Sequence, residues 1–488
     1  MTSNESLAGF AEIAPGLVVN NQISLGDTRI IILLLLLFVG CLNVLSMAAL
    51  TVSLGGFSAI LLYLGLRDLR LLLLILIALV PVQSSILGFG PVFGFELTFN
   101  RIVLPIAVAL FVTKRSNYQR SSDRREPLLY ILSGMFVLSV LTDLLGDGAF
   151  LAGAQRTFSE SVEVVLFAYI CYRVFGRFGL GAPVSAFAIG GITLCVSTVI
   201  ERTTGLNLLF RFPVADDMNL TLQNAALTLD RADVLRVRGS FLNPVYLSGF
   251  LPLLMFAGAY LLLVQRRRYL GGALLLLVPL TAYLSISRTA VYSLAIFGMP
   301  IASSQLKRMG VKRSFKIAFA VVLLTAVFYA IFQEDFQRAF ALAFNPNEES
   351  VGGSSTGQRL ELITTGIPFV LALNPFGAGV DQAKTISLLL GPDIANFFVG
   401  YSIARGVIWV GAFCSVLAYM MWRLLRARDP VSRMLFWLTL SISVTYLSYA
   451  EYWISFPMLL VFVLIHAKPG AVSHQTAVLP ARTVLVEG

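Results

Sequence analysis

Apolar runs of about 15 to 20 residues, cut by short polar segments, recur along almost the whole 488-residue chain. A helix rises about 1.5 Å per residue, so each longer run can cross hydrocarbon with its backbone hydrogen bonds closed within the segment. With 57% hydrophobic and 13% charged residues, a single water-soluble core is excluded. The pattern predicts an all-α polytopic membrane protein, one integral membrane domain over residues 1–488. Spans are expected near 30–46, 49–66, 71–86, 101–114, 127–143, 161–174, 182–200, 241–264, 269–285, 289–305, 315–333, 401–421, 434–447 and 453–467. Two of the pairs are poorly separated, so the expectation is about 12 to 14 transmembrane helices. The first 28 residues carry Glu5, Glu12 and Asp27 without a basic cluster. They do not read as a cleaved signal peptide, and the first run is expected to act as an uncleaved anchor.

Charge orients these spans, because Lys and Arg concentrate in short cytoplasmic loops. With a cytoplasmic N-terminus, the clusters at 67–70, 114–125, 173–177, 265–268, 307–316 and 423–433 all fall inside. Both termini are then cytoplasmic, and two longer segments, 201–240 and 334–400, are outer loops. The net charge of +10 is an orientation signal facing anionic membrane lipids, not a nucleic-acid footprint. Cys41, Cys171, Cys195 and Cys414 lie scattered in apolar runs without metal or redox spacing, as small packing or lipid-facing side chains.

Three arginines stand beside apolar runs on the predicted outer side: Arg238 in RVRGSFLNP, Arg288 in SISRTA and Arg359 in STGQRLEL. An arginine costs roughly 2.5–3.5 kcal/mol at a membrane helix centre, less where it reaches the interface. Each is expected in or just before the first turn of a helix, with Ser240 and Ser287 as N-caps for the first two. Arg359 opens a predicted interfacial helix over 356–373, where Ser355 and Gln358 have capping-box spacing. A cation opposes the helix dipole there, so packing alone is a poor reason for it. Beside unpaired first-turn N–H groups, the guanidinium fork suits phosphate. The competing reading is that each arginine anchors a helix end at the interface.

The order RGSFLNP, SISRTA, GQRLEL, NPFGAG and ANFFVGYSIARGVIWVGAF resembles the O-antigen ligase and O-antigen polymerase superfamily of bacterial inner-membrane enzymes. The likeness covers about residues 238 to 413 in detail. It implies a C-type membrane glycosyltransferase architecture and transfer of undecaprenyl-diphosphate-linked oligosaccharide at the periplasmic face. It implies no metal or other cofactor, and a chain-length regulator among the partners. The family's diphosphate-gripping arginines map to Arg238, Arg288 and Arg359. Ligases of the family carry a His-Asn pair where this chain has Ala395-Asn396. The only two histidines, His466 and His474, fall on the predicted cytoplasmic side, which favours a polysaccharide polymerase for O-antigen, capsule or exopolysaccharide over a ligase.

Glycosyl transfer needs stabilisation of the departing diphosphate, a positioned hydroxyl and a group to take its proton. Outer carboxylates supply the candidate bases: Asp393 beside the family's catalytic dipeptide, then Asp381 and Glu361, with Asn396 as the retained half of that dipeptide. Glu361 follows Arg359 by two residues and so points about 200° away on a helix. An isolated Asp393 is also an ordinary loop or cap residue. Gly377 and Gly379 fit either a phosphate approach or a turn. A transporter or flippase of lipid-linked oligosaccharide is the reading from another class; it predicts mid-span charges and two similar halves, and no internal repeat is evident.

Overall fold

The computed structural model describes residues 23–44, 47–83, 88–92, 95–114, 126–176, 178–209, 230–231, 234–241, 243–306, 333, 374–379, 396–427, 429–448 and 454–466, with isolated positions between 364 and 372. Helices dominate them, in the order α1 (Leu25–Leu42), α2 (Met47–Arg67), α3 (Leu69–Leu79), α4 (Phe99–Thr113), α5 (Pro127–Leu145), α6 (Phe150–Glu160), α7 (Phe167–Phe175), α8 (Gly181–Thr204), α9 (Pro244–Leu263), α10 (Arg268–Leu284), α11 (Arg288–Leu306), α12 (Phe397–Ala427), α13 (Pro430–Thr445) and α14 (Phe456–His466). Two small antiparallel hairpins interrupt the all-α expectation: β1 (Gly88–Val92) with β2 (Phe95–Thr98), and β3 (Asp230–Arg231) with β4 (Val234–Leu235). Both sit in connections, where the backbone satisfies itself locally.

Among the described residues, six helices are long and apolar enough to cross a membrane: α1, α2, α5, α8, α9 and α12. Shorter apolar helices include α3, α10 and α14. The expected run at 161–174 is part of a longer path, because α6 passes through a π-helical turn at Ser161–Leu166 directly into α7. The run expected at 315–333 lies outside the described residues apart from its last position, 333.

Burial divides the helices into a centre and a rim. α3 and α14 are almost entirely buried, and α8 and α9 are largely so. Aromatic contacts join α8, α9, α11 and α14: Phe187 meets Phe250 and Phe462 at 5.5 Å, and Phe256 meets Phe462 at 5.3 Å and Phe297 at 6.4 Å. The rim helices α1, α2 and α5 turn Leu33, Leu36, Val52, Val137 and Leu144 outward. An apolar exterior of this kind suits hydrocarbon, as the apolar exposure would be a liability in water. Pro105, Pro252, Pro279 and Pro300 sit inside helices, which membrane bundles tolerate because neighbouring groups satisfy the freed carbonyls.

Contacts between helix termini sort the bundle into two ends. At one end Asn43 Nδ2 donates to the Leu208 carbonyl (2.9 Å), Ser240 Oγ to Pro81 (2.7 Å), Asn374 Nδ2 to Leu145 (2.9 Å), and the Phe397 amide to Tyr446 (3.0 Å). At the other, Lys114 Nζ donates to Gly65 (3.0 Å), Arg423 pairs with Glu126, and His466 meets Asp429 (3.3 Å). The described basic residues of four clusters, at 67–70, Lys114, 265–268, and Arg423, Arg426 and Arg433, adjoin this second end.

Candidate functional site

The first end gathers Arg238 and Arg288. α8 finishes there with Glu201, whose side chain is buried and turned to the incoming RVRGS segment. Its Oε2 accepts the Gly239 amide at 2.9 Å and the Arg238 amide at 3.3 Å, while its Oε1 accepts Asn207 Nδ2 at 2.9 Å. The same Nδ2 donates to the Gly239 carbonyl at 2.8 Å. Gly239 has φ +60°, and a Cβ there would come within 2.6 Å of Leu194. Any other side chain would be strained at that corner.

This segment is tied in turn to the α10–α11 connection. The Val237 amide donates to the Leu284 carbonyl at 3.4 Å, and buried Arg236 donates through Nε to the Ser285 carbonyl at 3.1 Å. Ile286 in that connection has φ +47°, a conformation a β-branched residue avoids unless its surroundings impose it. Arg288 follows as the first residue of α11, as expected. Two half-buried guanidinium groups are therefore carried by chain segments pinned to one another. Burial pulls the Arg238 pKa down from its usual range and the nearby Glu201 charge opposes that pull. Arginine stays charged through such a shift, so the segment presents a cation.

The sequence reading placed Arg238 too close to its helix. α9 begins at Pro244, six positions later, with Asn243 as N-cap accepting the Val245 amide at 2.6 Å. Ser240 instead donates to Pro81, so it ties α3 to the loop and caps nothing. Asn-Pro is a strong N-cap and first-turn pair and was the available signal.

A second polar centre at the same end was missed altogether. Arg405, in α12, is fully buried, and its Nη1 donates to Asp143 Oδ1 at 2.9 Å and Thr157 Oγ1 at 2.7 Å. Its Nη2 reaches Glu160 at 3.3 Å, and Glu160 also accepts from Arg156 Nε at 2.8 Å. Arg156 donates to the Tyr401 hydroxyl at 2.6 Å. Tyr401 stacks on Trp409 (5.2 Å), whose indole N–H donates to Ser139 Oγ at 2.7 Å. Two cations and two carboxylates from α5, α6 and α12 thus neutralise one another.

The neighbouring Gly406, at φ +82°, breaks α12, and a Cβ there would lie 1.9 Å from the Pro375 carbonyl. The NPFGAG turn fills that break: the Ala378 amide donates to Ile403 (2.7 Å) and the Gly377 carbonyl accepts from Asp147 (3.1 Å). Gly377 and Gly379 have positive φ in this turn, and a Cβ on Gly377 would lie 2.6 Å from the Gly406 nitrogen of the broken helix.

Among the other candidates, Asn396 is buried and its Oδ1 accepts the Phe398 amide at 2.9 Å and the Val399 amide at 3.4 Å, capping α12. Arg359, Glu361, Asp381 and Asp393 lie outside the described residues, as does most of the expected helix over 356–373, which is helical at its described positions 364, 366, 368, 370 and 372. His466 stands at the opposite end of the bundle from Arg238 and Arg288, bonded to Ser432 Oγ at 2.8 Å and to Asp429. Burial opposes ionisation of Asp429, but His466 and the Ser432 hydroxyl and amide outweigh it and hold the carboxyl down to about 2. His474 lies outside the described residues. No protein-family model and no curated protein matches the chain.

Proposed function

We propose that the chain is a metal-independent polysaccharide polymerase of the bacterial inner membrane. It transfers glycan from undecaprenyl diphosphate onto a lipid-linked repeat unit at the periplasmic face. The observation that carries this reading is the pinning of the Arg238 and Arg288 segments at one end of an apolar helix bundle. Charge-assisted, bidentate contacts from such groups stabilise negative charge on a departing diphosphate. The 12 to 14 spans, the C-type architecture and the cytoplasmic placement of both termini belong to the same proposal. Arg359 completes the diphosphate grip, and Asp393, Asp381 or Glu361 takes the acceptor proton.

Orientation is tested by cysteine labelling in a background without the native cysteines. Leu206→Cys, at the exposed end of α8, should react with an impermeant reagent from the periplasm, and Tyr269→Cys, 95% exposed at the start of α10, should not. The reverse pattern would put Arg238 and Arg288 in the wrong compartment.

The absent family histidine gives a second test. With His466 bonded at the far end, a His466→Ala, His474→Ala variant should still make long polymer in cells. Loss of polymer at normal protein level would show that a histidine serves the reaction.

A lipid-linked oligosaccharide flippase is the second reading, favoured by one observation: Arg405, Asp143 and Glu160 are charges buried between helices. Their mutual pairing supports a fixed joint more than a cargo path. Movement of a labelled lipid-linked oligosaccharide across proteoliposomes without polymer formation would support the flippase.

A further inference from the structure

We infer that Glu201 is a positioning residue for Arg238, setting the backbone from which that guanidinium reaches a lipid diphosphate. This rests on the proposed function and adds a residue outside the motifs that suggested it.

The geometry is that of a carboxylate holding a turn. One oxygen takes two successive backbone amides, those of Arg238 and Gly239, and the other takes Asn207, which also holds the Gly239 carbonyl. Three successive peptides are thus held: through the Arg238 N–H, through the Gly239 N–H and through the Gly239 carbonyl. The left-handed corner at Gly239 and the contacts of Arg236 and Val237 with the α10–α11 connection fix what remains. A buried carboxylate at a membrane helix end is costly, and a neutral cap would close the helix without that cost. Its negative charge suits the two N–H donors and the adjacent cation together, whereas a neutral side chain would accept the same donors without offsetting the cation. Both Glu201 oxygens face the Arg238 and Gly239 amides and Asn207, so its role is to orient Arg238.

The test is equilibrium binding of undecaprenyl diphosphate to the purified full-length protein in detergent, with thermal unfolding followed alongside. Hydrogen bonds to charged groups are the stronger class, so Glu201→Gln should weaken binding by about tenfold or more, and Asn207→Ala by about threefold. Glu201→Asp keeps the charge one methylene short and should bind between wild type and Glu201→Gln. Arg238→Ala is measured in parallel. Wild-type affinity in Glu201→Gln, with Arg238→Ala impaired, would overturn the positioning role and leave the proposed function standing. Unimpaired binding by Arg238→Ala, or none by the wild type, would overturn the function itself and this inference with it. Should Glu201→Gln fail to fold, Asn207→Ala decides: weaker binding supports the role, and unchanged binding overturns it.

Discussion

Arg405→Ala should destabilise the protein by about 3–5 kcal/mol, enough to abolish a stable, extractable product. The side chain is wholly buried, and its removal leaves Asp143 and Glu160 facing a cavity with their charge uncompensated apart from Arg156. Thr157 loses a donor at the same time. Removing one partner from a buried network costs far more than removing the network, because the surviving charges stay desolvated. The paired variant Arg405→Leu, Asp143→Asn should therefore recover part of the loss. Detergent thermal unfolding decides it: a midpoint for Arg405→Ala within a degree or two of wild type would mean that the network does not hold α5, α6 and α12 together.

The helices were legible because hydrocarbon imposes a simple rule, that a long apolar run must close its own hydrogen bonds. α8 was expected at 182–200 and spans 181–204; α10 was expected at 269–285 and spans 268–284. Breaks were harder to read. Gly406 sits in an otherwise good helical run, and nothing local announces that the Pro375 carbonyl fills the gap beside it. Arg405 was open to the same reasoning that singled out Arg238 and Arg288, since it is an arginine inside an apolar run. Its partners lie about 245 to 262 positions away, however, and that pairing has no sequence period. Glu201 was hidden for a different reason: at the end of α8 it reads as an ordinary solvated helix terminus. Only the fold shows that a loop 37 residues later closes over it.

Arg238→Ala and Arg288→Ala should each reduce polymer formation by about a hundredfold or more, the scale of losing one preorganised donor to a developing anion. Arg→Lys should recover part of the activity, because an ammonium keeps the charge and loses the bidentate fork. Helix insertion should be unaffected. Arg238 lies in a loop ahead of α9, and Arg288 opposes the dipole at the start of α11, so neither is needed to complete a span. In cells, lipid-linked single repeat units should accumulate while protein level stays normal. The normal level follows because the loop's ties run through the backbone amide of Arg238 and survive truncation of its side chain.

The central claim is tested most directly by incubating the purified chain with an undecaprenyl-diphosphate-linked repeat unit, without added metal, and resolving the products by length. The account predicts a ladder of polymer from the wild type, and unreacted single units from Arg238→Ala and Arg288→Ala. A full ladder from both alanine variants would reduce the two arginines to interfacial anchors and contradict the account.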